Sequence, residues 1–327
     1  MARNVLVTGG AGYIGSVVVE QLLAQGHAVV ALDDLSRGHR AALDPGAQFV
    51  QGEIGDRRIL DELLARHSFD ALVHLAAYAL VAESVAHPEM YFANNVAAGR
   101  VLLDAVVAAG VRRVIFSSSC AVYGHPPLIP IPEDAPRVPV NPYGQTKLEF
   151  EHLLADCAQR HRVASISLRY FNAAGATARY GEDHDPETHL LPNVLQVALG
   201  RRPAVEVYGT DYPTPDGTAV RDYVHIADIA DAHVRALDAD LTGAQAVNLG
   251  TGAGHSVLAV AEAARRITGR SIPTVACPRR PGDPPTLVAA RGRAERLLGW
   301  RPRRSTLDEI IASAWDWHRT HPSGYSN

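Results

Sequence analysis

Cysteine is scarce in this chain. Three in 327 residues, Cys120, Cys157 and Cys277, are odd in number and far apart, so no disulfide framework is expected and the cytoplasm is the expected compartment. Charge of one sign is not in excess. A net charge of −4 leaves no basic footprint for nucleic acid or an anionic membrane, so neither is an expected partner. No apolar run reaches the roughly 18 residues that suggest a membrane span, and because Met1-Ala2-Arg3-Asn4 leads straight into an apolar strand no signal peptide is expected. Internal repeats and low-complexity tracts are missing too. Although there are 15 histidines, none falls in a His-Glu-x-x-His spacing, and there is no Cys-x-x-Cys. The cluster Glu182, Asp183, His184 and Asp185 reads as a solvated loop, and no metal is expected. What remains is an ordinary globular composition, 47% hydrophobic and 20% charged, with room for one large or two intimately joined domains.

The amino terminus is informative. Val5-Leu6-Val7 reads as a short buried strand entering Thr8-Gly9-Gly10-Ala11-Gly12-Tyr13-Ile14-Gly15, and a helix then runs from Ser16 to Gln25 with Val18, Val19, Leu22 and Leu23 on one stripe. Gly26 is placed to close that helix. Glycines lacking side chains let backbone N–H groups and the positive helix terminus approach a pyrophosphate. A second strand, Ala28 to Leu32, ends at Asp33, where a carboxylate can accept from both adenosine ribose hydroxyls and repel a 2′-phosphate. NAD is therefore expected over NADP, a preference that nearby Arg37 tempers without reversing.

Tyr143 and Lys147 lie four residues apart and so share one helix face, one turn apart. A nearby cation favours the phenolate of a tyrosine whose free pKa is about 10. The same spacing also arises where a lysine stem merely packs on a ring. Two companions favour the chemical reading: the glycine turn, and Ser117-Ser118-Ser119 at the end of the apolar strand Val114-Ile115, where open parallel sheets bind ligands.

Further apolar runs near Phe49-Val50, Ala71 to Val73 and Ser165 to Leu168 alternate with helical stretches. An α/β fold is predicted, with a doubly wound parallel sheet of the Rossmann type. After Asn172 the texture turns to Gly, Pro and polar loops. The boundary is placed there, giving a cofactor domain over residues 1–172 and a smaller mixed α/β substrate domain over 173–327.

The glycine turn, Ser119, Tyr143 and Lys147 together resemble the extended short-chain dehydrogenase/reductase superfamily. Asp211-Tyr212-Pro213-Thr214, Val220-Arg221-Asp222-Tyr223-Val224-His225 and Arg279-Arg280-Pro281-Gly282-Asp283 narrow the resemblance to its UDP-glucose (UDP-galactose) 4-epimerases, and it covers essentially the whole chain. It implies an NAD-dependent isomerase that epimerises a UDP-hexose at carbon 4 through a transient 4-keto sugar, acts in galactose metabolism, retains its cofactor and forms a homodimer. Segments around Arg221 to His225 and Val247 to Gly250 are implied to return to the cofactor domain.

The resemblance also assigns residues. Tyr143 is the implied proton acceptor; Lys147 lowers its pKa and holds the nicotinamide ribose, and Ser119 hydrogen-bonds the same sugar oxygen. Gly9, Gly12, Tyr13, Ile14 and Gly15 would cradle the NAD pyrophosphate, with Asp33 and Asp34 at the adenosine ribose. Glu53, Ile54, Leu75, Ala76, Ala77, Asn95 and Tyr170 would complete the cofactor wall. Arg221 and Arg280 are implied at the UDP diphosphate, Asp283 at the uridine ribose and Tyr208 on uracil. Asn172, His189, Leu190 and Leu287 would surround the sugar. Departures from the family pattern are Glu53 for an aspartate, Ala79 for a lysine and His189 for an asparagine.

Alternatives stay open. An epimerase of UDP-N-acetylhexosamine, UDP-glucuronate or UDP-xylose would carry the same motifs, and so would a non-catalytic NAD sensor. A 4,6-dehydratase needs an extra acid/base pair beside the catalytic hydroxyl, where this chain has Cys120 and Ala121.

Overall fold

A computed structural model describes residues 2–280 and 282–325; Met1, Pro281, Ser326 and Asn327 lie outside the described residues. Strands β1 (Asn4–Thr8), β2 (Ala28–Asp33), β3 (Gln48–Gln51), β4 (Ala71–His74), β5 (Arg113–Ser119) and β6 (Ala164–Tyr170) alternate with helices. Four short strands follow, β7 (Asn172–Ala174), β8 (Val205–Tyr208), β9 (Val220–Arg221) and β10 (Tyr223–His225), before β11 (Ala244–Leu249). One seven-stranded sheet forms in the order β11-β6-β5-β4-β1-β2-β3, with every pairing parallel. Order reverses between β1 and β4, the crevice where such sheets take their ligands.

The apolar runs are continuous because helices cover both faces of the sheet. Val5 and Val7 of β1, with Ala71 and Val73 of β4, join one core cluster, while Leu6 and Leu72 join the other, as a two-residue side-chain period requires. The Tyr13–Ala24 and Ile226–Asp238 helices pack together on the first face. On the second lie the Arg57–Arg66, Gly99–Ala108 and Pro142–His161 helices.

The chain after residue 172 supplies more than a separate unit. It contributes β11, paired along β6, and its other strands form three small sheets: β10 with β7, β8 with β13 (Thr274–Cys277), and β9 flanked by β12 (His255–Ser256) and β14 (Thr286–Leu287). Asp222, fully buried between β9 and β10, accepts from the backbone N–H groups of Thr251, Gly252 and Ala289 at 2.8, 3.0 and 3.1 Å. That carboxylate ties these late segments to one another. His225 caps the Ile226–Asp238 helix, its Nδ1 accepting from Ala227 N–H at 3.0 Å.

A second buried carboxylate fixes the helix that carries Tyr143 and Lys147. Glu151 accepts from Ser118 Oγ at 2.6 Å and from Arg169 Nε and Nη2 at 2.9 and 2.6 Å. Arg169 also donates to Tyr123 Oη at 2.7 Å, and Tyr123 donates to Asn248 Oδ1 at 2.7 Å. Side chains of Glu151 and Arg169 are only 5% and 3% exposed, and the one other cation on Glu151 is the exposed Arg137 at 3.4 Å, so removing Arg169 leaves a buried carboxylate poorly compensated. Arg169→Met should therefore cost about 3–5 kcal/mol, and adding Glu151→Leu should restore much of the loss. Urea denaturation followed by circular dichroism checks both; a single variant as stable as the parent would show that the pair does not bolt helix to sheet.

Candidate active site

A cleft of about 830 Å3 opens at the carboxyl ends of β1, β4, β5 and β6 and runs past the small sheets. That volume suits a cofactor and a substrate together. At one end, Gly9 has φ +72°, and a Cβ on it would lie 2.6 Å from Ala76 N; a Cβ on Gly15 would fall 1.9 Å from Gly9 O. Only glycine fits either position. Gly12 begins the Tyr13–Ala24 helix with no side-chain cap and no acidic residue in the first turn, so the helix N–H groups are free for an anion. The cradle thus fits a pyrophosphate without rearrangement.

Asp33 is buried beside it, accepting from Ala11 N–H and Leu35 N–H at 2.9 Å each. Burial raises its pKa and the two N–H donors oppose that. Asp34, Ile54, Leu75, Ala76 and Ala77 continue the wall. Glu53 does not line the cleft: it is exposed, between wall residues Gly52 and Ile54. Asn95 also sits behind the wall, donating to Tyr78 O at 3.0 Å and Thr146 Oγ1 at 3.1 Å, and its neighbour Asn94 takes the lining position. Both asparagines lie in a π-helical stretch over Ala93–Ala98. Arg37 is occupied by Glu83, 2.5 Å away.

The Pro142–His161 helix starts sharply, with Asn141 Oδ1 accepting from Gly144 N–H at 2.8 Å and Pro142 in its first turn. Tyr143 and Lys147 consequently face β5. Lys147 Nζ donates to Ser117 O at 2.7 Å and lies 5.8 Å from the Tyr143 ring centre. Ser119, at the end of β5, accepts from Ala121 N–H at 3.1 Å. The expected lowering of the phenol pKa by Lys147 does not occur in the chain alone. Burial pushes Tyr143 up to about 12 against the pull of the Ser119 hydroxyl, and burial pushes Lys147 down to about 7. Tyr170 lines the floor, its hydroxyl 2.5 Å from His233 Nε2.

The other half of the cleft is basic and aromatic. Arg280 stacks over Tyr208 at 4.0 Å from the ring centre, and Asn172 Nδ2 donates to Asp222 O at 3.0 Å. Arg221 and Asp283, expected on different parts of a nucleotide, form an ion pair with each other. Leu287 is both wall and core: it lines the cleft while packing in a buried cluster with Cys120 and Phe171. Leu190 and His189 complete that side.

The segment after Gly181 is only in part the solvated loop expected of it: Asp185 and Pro186 are exposed, and Asp183 and His184 half-buried. Glu182 is buried, 6% exposed, and His189 Nδ1 and His184 Nδ1 lie 2.8 and 3.2 Å from its Oε1. Burial would raise the Glu182 pKa, but the two imidazoles overcome it and hold the group low, while both histidines are raised. Glu187 belongs to the same group. The spacing Glu-x-His-x-x-Glu-x-His was the overlooked signal, since adjacent acidic residues draw the eye to Asp183 and Asp185 instead.

Comparison with known proteins agrees with this geometry. The NAD dependent epimerase/dehydratase family model matches residues 5–250. A UDP-glucose 4-epimerase of Streptomyces lividans is 49% identical over 329 residues, covering 100% of this chain and 99% of its own. Among solved structures, the Brucella ovis UDP-glucose 4-epimerase in complex with NAD is 47% identical with a TM-score of 0.92, covering 97% of this chain and 98% of that one. The Bifidobacterium longum enzyme, in complex with NAD+ and UDP, is 39% identical with a TM-score of 0.94, covering 98% and 100%.

Asp33 at an adenosine ribose would repel a 2′-phosphate. Asp33→Ala should narrow the ratio of NAD to NADP affinity, a ratio insensitive to general loosening of the turn. Isothermal titration with both nucleotides measures it, and a ratio unchanged from wild type would remove Asp33 from cofactor discrimination.

Proposed function

The chain belongs to the NAD-dependent epimerase/dehydratase family, and on that premise we infer that it interconverts UDP-glucose and UDP-galactose. The reaction is an NAD-dependent 4-epimerisation of a UDP-hexose. The observation that carries the reading is one continuous cleft, in which Ser119, Tyr143 and Lys147 stand between a glycine phosphate cradle and a basic, aromatic half. Incubating purified protein with UDP-galactose and identifying UDP-glucose among the products tests it.

Bound NAD supplies the acceptor for hydride from carbon 4 and the donor that returns it. The chain's residues do the rest. Tyr143 Oη accepts the proton of the 4-hydroxyl, and Ser119 Oγ hydrogen-bonds the same oxygen, so negative charge developing there has a donor already in place. Lys147, anchored on Ser117 O, presents its remaining N–H donors to the cofactor ribose. Because burial leaves Tyr143 protonated at neutral pH, its ionisation depends on positive charge entering the cleft. Arg221 and Arg280 hold the diphosphate and Asp283 the uridine ribose, which requires the Arg221–Asp283 pair to open. Tyr208 offers a ring face to uracil and Asn172 an amide to the sugar nucleotide. The cleft would leave a 4-keto sugar room to turn over, so that bound NAD could return hydride to its opposite face. Three unpaired cysteines support a cytoplasmic location, and resemblance supports a homodimer.

Tyr143→Phe should bind NAD normally yet lose about 10²–10⁴ in kcat. Loading NAD onto wild type should also bring out an ultraviolet phenolate signal near neutral pH that this variant lacks. Near-normal turnover by Tyr143→Phe would remove the phenol from the mechanism.

Substrate range turns on Leu287. Leucine leaves less room than serine for an N-acetyl group, and pocket differences of this size are worth about 10–200-fold in kcat/KM. Wild type should therefore prefer UDP-galactose to UDP-N-acetylgalactosamine by a factor in that range, and Leu287→Ser should narrow it. An unchanged ratio would show that the side chain does not gate the substrate.

A further inference from the structure

Four side chains of metal-ligating type converge between Gly181 and the Leu190–Ala198 helix, three of them, Glu182, His184 and His189, on the cleft wall, and the proposed reaction does not use them as a group. Their donor atoms, one each from Glu182, His184, Glu187 and His189, all lie within 4.8 Å of one another. His184 Nδ1 and His189 Nδ1 stand 3.2 and 2.8 Å from Glu182 Oε1, and 3.8 and 3.1 Å from Glu187 Oε2 and Oε1 respectively. Zinc binds imidazole nitrogen and carboxylate oxygen at about 2.0–2.2 Å, which in a tetrahedron separates neighbouring ligands by about 3.4 Å. The four nitrogen–oxygen separations lie on either side of that edge and the other two ligand pairs within 4.8 Å, so an ion fits at the centre once the side chains adjust.

Charge is compatible with an ion there. The Glu182 and Glu187 side chains are 6% and 9% exposed, and among the described residues no Lys or Arg nitrogen lies within 4.0 Å of either carboxylate. Glu151, the other deeply buried glutamate of the site region, has Arg169 for its counter-ion. Imidazoles that act as ligands are neutral, so the four side chains as a ligand set carry two negative charges and call for a dication. Each ring is also held. His184 meets Tyr13 edge-on at 6.0 Å and the His189 ring at 5.1 Å, while Glu187 Oε1 accepts from the His189 backbone N–H at 2.7 Å and lies 3.1 Å from its ring Nδ1.

We propose that Glu182, His184, Glu187 and His189 form a closed, four-coordinate zinc site that clips the loop after Gly181 to the start of the Leu190–Ala198 helix. Imidazole and carboxylate donors without thiolate suit this borderline ion. With all four positions filled by protein the metal is structural, holding His184 against Tyr13 of the phosphate cradle.

The rival is a metal-free cluster in which protons on both imidazoles neutralise the carboxylates. Tag-free protein, stripped with chelator and re-equilibrated with Zn²⁺, separates the two by metal analysis, with no need of turnover. One zinc per chain is expected, with a higher thermal midpoint on zinc addition. His184→Ala and Glu187→Gln should each weaken zinc binding at least about tenfold. Circular dichroism establishes that these variants fold. Co²⁺ loaded onto wild type gives a reading that needs no variant: intense visible bands of a tetrahedral ion support the site. Failure to retain zinc, zinc retained undiminished by both variants, or an octahedral Co²⁺ spectrum would each overturn it.

Discussion

Glu151 and Arg169 meet beneath the cleft wall that carries Ser119, Tyr143 and Lys147, and their contact fastens the helix bearing the last two to the strands behind it. Glu151 lies on the same helix face as Tyr143 and Lys147, two turns beyond the first and one beyond the second. Its partners come from three strands: Ser118 from β5, Arg169 from β6 and, through Tyr123, Asn248 from β11. A buried charge pair cannot slide along an apolar surface as a leucine can, because any displacement leaves a desolvated ion without its partner. The helix is thereby held in one register against β5, and Ser119, next to Ser118, comes into line with Tyr143 by the same constraint. Placement of this kind is what catalysis by orientation demands.

The cleft restrains its own charges. Burial keeps the phenol protonated and weakens the lysine's hold on its proton, while Arg221 and Asp283 neutralise each other across the substrate half. Each group stands ready without being active. Under the proposed function the energy to rearrange them would come from binding distant parts of the ligand, the usual way specificity at one end of a substrate is converted into rate at the other.

Much of the cofactor half was legible in the sequence because its signals are local. A strand of three apolar residues, glycines at fixed offsets and Asp33 at the next strand's end each follow from neighbours in the chain, and the structure places them together. The Tyr143/Lys147 spacing was legible for the same reason. What escaped notice depends on contacts between distant segments. Glu151 looks like any polar helix residue until Arg169 arrives beside it. Asn95 sits behind the wall in a π-helical stretch, and no residue type announces such a stretch. Glu182 and His189 are seven positions apart in a segment rich in exposed-looking polar groups, and only the folded loop brings them into contact. The electrostatics of Tyr143 also ran against expectation, since burial outweighs a cation that binds a carbonyl instead of the phenol.

β11 joins the main sheet from far along the chain. Its pairing with β6 runs from Ala244 opposite Ser165 to Leu249 opposite Tyr170, and nothing between Asn172 and Gly243 enters that sheet. During synthesis, β6 must therefore wait as a bare, apolar edge while the intervening segment leaves the ribosome. An open edge is a template for pairing with another chain. The two halves of this protein consequently share one folding event: the nascent cofactor domain is an aggregation hazard until the strand that seals it emerges with the later half.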